Sequence, residues 1–318
     1  MERKPVYESP LGSRYASREM LYLFSPDNKF ITWRRLWVAL AEAEKELGLP
    51  ITEAQLASLR AHVEDIDYES ARAYEERVRH DVMAHLRAYA DQLDDGAGAI
   101  LHLGATSCYL TDNTDALILR DALKLIRGKL LEAVRRLRAF ALRYKDLPTL
   151  GLTHLQPAQP VTVGKRACLW MQDLMMDVED LDHALSTVRL LGSKGTTGTQ
   201  ASFLSLFDGD GEKVLKLERL VARRMGLESV YPVSGQTYPR KLDSRVLAVL
   251  SGVAQSAYKF SQDIRLLQAF HECEEPFGAE QVGSSAMAYK RNPMRSERIC
   301  ALSRHVMALE ADAAMTAA

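Results

Sequence analysis

Between residues 116 and 145, Leu119, Leu123, Ile126, Leu130, Val134, Leu137 and Ala141 recur at steps of four or three, while Arg120, Lys124, Arg127, Arg135 and Arg138 take the other faces. The spacing predicts one long amphipathic helix that starts behind Thr111, Asp112 and Asn113, good N-cap types, and stops before Pro148. Residues 161–192 and 241–272 read the same way, the latter through Val246, Leu250, Val253, Ala257, Phe260, Ile264 and Leu267, with the small Ser251 and Gly252 among them. A last helix is expected from about Met294, with Ile299, Leu302, Val306 and Leu309 on one face. Proline costs ~3 kcal/mol in a helix interior, and all eleven prolines fall outside the windows 51–147, 161–231, 240–275 and 294–318. Several helices of this length imply a bundle.

The first hundred residues are patterned differently. Shorter helical stretches near 28–48, 52–64 and 67–92 are broken by Pro26, Pro50 and the Asp94-Asp95-Gly96 turn. The expected architecture is therefore all-α, with a small helical N-terminal domain over 1–105 and a long-helix bundle over 106–318. Polar, Gly/Thr-rich connections at 102–114, 153–160, 192–202, 232–239 and 280–293 separate the long helices, and such loops are where function concentrates.

Composition narrows the partners. The chain has 318 residues, with Lys plus Arg at 41, Asp plus Glu at 42 and a net charge of −1, so it lacks the basic excess of a nucleic-acid or anionic-membrane binder. No stretch approaches the ~18 uninterrupted apolar residues of a membrane span. Cys108, Cys168, Cys273 and Cys300 are widely spaced without a C-x-x-C pair, which fits a reducing cytoplasm rather than a zinc site or a disulfide framework. The start of the chain has no apolar segment of the kind that marks secretion, so a cytoplasmic location is expected.

Chemistry enters with Gly283-Ser284-Ser285-Ala286-Met287-Ala288-Tyr289-Lys290-Arg291-Asn292-Pro293. This run resembles the G-S-S-x-M-P-x-K-x-N-P signature of the fumarase/aspartase superfamily, whose members eliminate fumarate from succinyl compounds. One fixed position departs: the family proline falls on Ala288. Within the superfamily the chain resembles the adenylosuccinate lyases of the animal type. The matching blocks run in family order from Ser13-Arg14-Tyr15 through Arg79-His80-Asp81-Val82, Gly104-Ala105-Thr106-Ser107 and Thr153-His154-Leu155-Gln156-Pro157. They continue through Lys194–Gln200, Gly235-Gln236-Thr237-Tyr238 and Met294-Arg295-Ser296-Glu297-Arg298.

The resemblance implies cleavage of a succinylated purine nucleotide without metal or organic cofactor, by homotetramers with composite active sites. It also implies a chain that continues past the point matching Ala318, so the family bundle is expected to be C-terminally incomplete here. An elimination of this kind needs a base for a weakly acidic C–H beside a carboxylate and an acid for a nitrogen that leaves poorly unless protonated. Ser284 resembles the family base. Its alkoxide can be stabilised by successive backbone N–H groups of the Gly-Ser-Ser turn, and Lys290 and Asn292 can stabilise charge developing on the substrate carboxylate. His154 resembles the family acid; imidazole is the side chain that both gives and regains a proton near neutral pH. Arg14 and Tyr15 match the family's phosphate-binding pair, and Arg79, His80, Asp81, Thr106, Ser107, Gln236 and Arg298 match its other substrate contacts. Arginine's planar fork suits phosphate and carboxylate oxygens.

Each residue also has a plainer reading. Ser284 and Ser285 alone are ordinary turn residues, His154 is a structural hydrogen-bonder, and His80 is a cap for the helix that follows it. Lys290, Arg291, Arg295 and Arg298 alone are a solvated basic face. His80 and His85 lack the H-E-x-x-H spacing of a zinc site, and the run at 194–200 lacks the Walker ending. Two alternatives to the main reading stay open: an argininosuccinate lyase-like enzyme, which shares the serine loop, and a catalytically silent helical scaffold.

Overall fold

The computed structural model describes residues 6–318. A π-helical turn over Leu11–Tyr15 precedes α1 (Arg18–Leu23), α2 (Pro26–Glu46), α3 (Glu53–Ala61), α4 (Tyr68–Val78) and α5 (Asp81–Ala90). After a 3-10 turn over Ala97–Ile100 come α6 (Ser107–Arg143), a hairpin of β1 (Pro148–Thr153) and β2 (Gln156–Thr162), and α7 (Val163–Thr187). The chain closes with α8 (Ala201–Leu206), α9 (Gly211–Arg224), α10 (Lys241–Ala269) and α11 (Met294–Ala317). Among the described residues, no helix is long and apolar enough to cross a membrane.

The helices form two compact units that interleave in sequence. One takes Met1–Ala122 and Val188–Pro239, the other Leu123–Thr187 and Arg240–Ala318. The boundary expected near residue 105 does not coincide with this division: α6 contributes 107–122 to the first unit and 123–143 to the second, and 188–239 joins the first.

The first unit is built on α2, whose start is set by Pro26 at the first turn and by Ser25, whose hydroxyl accepts from Asn28 N at 3.2 Å. Its buried stripe of Trp33, Leu36, Trp37 and Leu40 is joined in the core by Tyr89 of α5, Tyr109 of α6 and Leu217 of α9. Thr52 and Gln55 close a reciprocal capping box on α3. The sequence reading needs three corrections here. The single helix expected over 67–92 is two, because Arg79 adopts a left-handed φ of 53° and ends α4. The helix expected over 52–64 is shorter, ending at Ala61. And α6 starts at Ser107 rather than behind Asn113. Asp112 and Asn113 lie inside it, 3% and 0% exposed, because other segments satisfy them. Asp112 Oδ1 accepts from Tyr238 N at 2.9 Å, and Asn113 exchanges two bonds with the backbone of Gly192 at 3.1 and 3.2 Å. Two polar residues that look like caps each dock a loop.

Glu44 of α2 stands in the same core, 0% exposed, with neither carboxyl oxygen bonded to a protein group. Burial pushes its pKa up from the ordinary 4.5 to about 9. The folded chain then keeps a proton that the unfolded chain releases above pH 4.5, so stability falls as pH rises through this window, by about 3 kcal/mol at pH 7. Glu44→Gln is therefore expected to stabilise the chain at pH 7 by that order and to do little at pH 4.5. Urea unfolding at the two pH values checks this; equal gains at both would remove the carboxyl's titration as the cause.

In the second unit, α7 packs against α10 and α10 against α11. Ala141, Ala167, Trp170 and Leu267 form a buried cluster, bordered by Leu137, Phe260 and Ile264. Trp170 Nε1 donates to Asp263 of α10 at 2.8 Å, which satisfies the indole where it meets the helix. Gly164 admits the tight turn into α7, since a Cβ there would stand 2.4 Å from Ala141 O. The all-helical expectation holds with one addition: 153–160, read as a loop, is part of the β1–β2 hairpin. The helix read over 161–192 ends at Thr187.

Candidate active site

The segment from 270 to 293 leaves α10, carries the Gly-Ser-Ser run and enters α11. Gly283 is required there, because a Cβ would stand 2.1 Å from Lys290 O. This close approach folds the loop back on itself, and Asn292 Nδ2 donates to Gly283 O at 2.8 Å to hold it. Ser284, half-buried, follows directly. Its hydroxyl oxygen accepts from Ala286 N at 3.3 Å and from Met287 N at 3.2 Å. Two N–H dipoles aimed at one oxygen lower the cost of negative charge on it. Ser285 is exposed and Lys290 is exposed. Lys290 and Asn292 line a cleft with Arg265, Gln268 and Glu297.

His154 sits at the tip of the hairpin. Thr153 and Gln156 are the closing pair, so His154 and Leu155 form a two-residue turn with φ of 55° and 57°. Both left-handed values define a turn normally made from Asn-Gly or Asp-Gly, and a leucine held there carries backbone strain. The imidazole is exposed and opens on a cleft with Leu155, Arg166, Leu266 and Phe270. Arg166 braces the base of the hairpin, donating to Leu150 O at 2.8 Å and pairing with Glu272 at 3.0 Å. Ser284 and His154 thus belong to one unit, where His154 lines one cleft and Lys290 and Asn292 line another.

The remaining residues of the sequence-derived set, except Arg298 of α11, lie in the first unit. Arg14 and Tyr15 end the π-helical turn, both exposed. Arg79, His80 and Asp81 occupy the break between α4 and α5, where His80 caps α5 through Met83 N at 3.5 Å and lies 3.6 Å from Asp81. Thr106 and Ser107 stand at the N-terminus of α6, where the positive end of the macrodipole favours anions. Gln236 is exposed in the loop that Asp112 docks. His102, absent from the sequence-derived set, neighbours His80 of that set. It is held at φ 64° with Nδ1 accepting from Trp37 Nε1 at 3.0 Å; burial, then the neighbouring His80, lowers its pKa to about 4. A titratable side chain at the head of the His102–Ser107 loop was the available signal.

Solved structures share the fold of these long helices. Fumarate lyase from Mesorhizobium sp. BNC1 superposes with a TM-score of 0.78 at 27% identity, covering 96% of this chain and 66% of that one. The 3-carboxy-cis,cis-muconate lactonizing enzyme from Pseudomonas putida gives 0.78 at 26%, covering 93% and 65%. A family model described as Lyase matches residues 27–308, and the chain belongs to that family. Among curated relatives, adenylosuccinate lyase from Saccharomyces cerevisiae is 54% identical over 98% of this chain, and that from Schizosaccharomyces pombe 52% identical over 100%. The chain spans 65% and 66% of the length of these two relatives.

Proposed function

We propose that the chain is an adenylosuccinate lyase of the cytoplasm. It eliminates fumarate from adenylosuccinate to give AMP, and from succinylaminoimidazolecarboxamide ribotide to give aminoimidazolecarboxamide ribotide, two steps of purine nucleotide synthesis. The observation that carries the reading is the Ser284 hydroxyl with two backbone N–H donors on its oxygen, in a loop that also presents Lys290 and Asn292. The high identity to adenylosuccinate lyases over nearly the whole chain supports this choice of substrate.

In this mechanism Ser284, as alkoxide, takes the proton from the carbon beside a succinyl carboxylate, and the electron pair is held on that carboxylate by Lys290 and Asn292. The pair then forms the double bond of fumarate as the C–N bond breaks toward nitrogen, which takes a proton from His154. Substrate phosphate carries about two negative charges at pH 7, and Arg14 and Tyr15 are the groups assigned to it. Arg79, His80, Asp81, Thr106, Ser107, Gln236 and Arg298 bind the rest of the nucleotide. The working particle is a homotetramer whose active sites combine residues of different chains, with no metal or organic cofactor in the reaction.

Loss of adenylosuccinate followed by ultraviolet absorbance, with AMP and fumarate identified chromatographically, is the direct test. Equimolar product formation is expected. A folded chain that leaves adenylosuccinate intact but cleaves argininosuccinate, or cleaves neither, would overturn the assignment.

A further inference from the structure

Residues 270–293 contain no regular element, so no ladder of backbone bonds fixes where Ser284 stands. Side chains at the two ends of the segment take over that task. Glu275, half-buried just after α10, reaches across to the first turn of α11: its Oε2 accepts from Arg295 N at 3.1 Å and its Oε1 from Ser296 N at 2.6 Å. These N–H groups have no partner within their own helix, and Pro293 at the N-cap position offers no side-chain cap. Glu275 therefore caps α11 from 20 and 21 residues away along the chain, with one carboxylate oxygen per N–H.

Gln268, in the last turn of α10, holds both ends at once. Its amide oxygen accepts from Glu275 N at 3.2 Å, and its amide nitrogen donates to Arg291 O at 2.7 Å. Arg291 also pairs with Glu274 at 2.9 Å. Only a side chain with both a donor and an acceptor can make the Gln268 bridge. Asn292, whose amide closes the serine turn on Gly283, is the next residue after the carbonyl that Gln268 grips. The connection from α10 to the Ser284 oxygen is thus short: Gln268 to Arg291, then Asn292 to Gly283.

We propose that Gln268 and Glu275 are positioning residues of the serine loop: together they clamp its two ends so that Ser284, Lys290 and Asn292 are presented in one fixed arrangement. The part of this inference that concerns turnover rests on the lyase reading; the clamp itself does not. The side-chain bonds of both residues run to backbone groups at the two ends of the loop, so their loss acts on the geometry of the reacting groups rather than on nucleotide affinity.

Glu275→Gln keeps the size but offers one acceptor for two N–H groups, and Gln268→Ala removes the bridge while keeping the Glu275 carboxylate. Amide hydrogen exchange by mass spectrometry, run on the same chains, is expected to show faster exchange in peptides covering 283–296 in both variants and no change elsewhere. In the adenylosuccinate assay kcat is expected to fall at least about tenfold, since a misplaced reacting group is lost from the transition state. KM should stay within about threefold, because uniform binding is untouched. Unchanged exchange over 283–296 overturns the clamp. Faster exchange with unchanged kcat, or a loss confined to KM, overturns its part in positioning. If the unaltered chain does not turn over adenylosuccinate, the lyase reading fails on its own, and the exchange measurement still decides the clamp.

Discussion

Ser284→Ala is expected to lower turnover of adenylosuccinate by on the order of 10²–10⁴-fold, the range lost when a general base is removed, while substrate binding changes only a few fold. The expectation follows from what surrounds the oxygen. Ala286 N and Met287 N point at Ser284 Oγ, and removing the hydroxyl leaves both donors in place without the atom they serve. A single hydroxyl adds little ground-state affinity, so the effect belongs in kcat rather than KM. Ser285→Ala supplies the control: its side chain is exposed and makes no hydrogen bond, so the smaller loss is expected there. Steady-state kinetics with direct measurement of nucleotide binding distinguishes the two. Turnover close to that of the unaltered chain in Ser284→Ala would remove this residue as the base.

The long helices were legible because their apolar positions repeat over many turns, and a pattern of that length leaves no other element available. Their ends were less so. Asp112 and Asn113 have the chemistry of caps, and only the buried partners at Tyr238 and Gly192, more than seventy residues downstream, convert them into interior helix residues. The break between α4 and α5 was hidden for the opposite reason: Arg79 enters the left-handed region without a glycine to mark it. The β1–β2 hairpin was illegible on two counts. Pro148, Pro157 and Pro160 argue against strands, and the turn residues His154 and Leu155 are not the types that such a turn prefers.

For the candidate site, the literal serine-loop motif located the residues, and local structure supplied what a motif cannot. The Gly283 approach to Lys290 O and the two N–H donors on Ser284 give the motif its physical content. For His102 the sequence offers only a titratable side chain at the head of a loop; the bond from Trp37, far away in sequence, is visible only in the fold. Gln268 and Glu275 carry no motif at all. Their role depends on the end of α10 and the start of α11 being neighbours, a fact of packing rather than of composition.

Mixing inactive His154→Ala chains with inactive Ser284→Ala chains, after reversible dissociation, is expected to regenerate activity from nothing. The reason lies in the clefts of the second unit. His154 opens on one with Leu155, Arg166 and Phe270, while Lys290 and Asn292 of the serine loop line another with Arg265, Gln268 and Glu297. Leu266 of α10 borders both, and under the proposed function one substrate takes His154 and Ser284 from different copies. With random exchange of equal amounts, about one quarter of sites receive both intact residues, given one contribution from each of two symmetric partners. Activity should therefore approach that fraction of the unaltered protein, and appear only after subunit exchange. Mass spectrometry of the mixed oligomers verifies that exchange has happened. Mixed oligomers that contain both variants and remain inactive would place His154 and Ser284 in the same site of one chain, or remove one of them from the reaction.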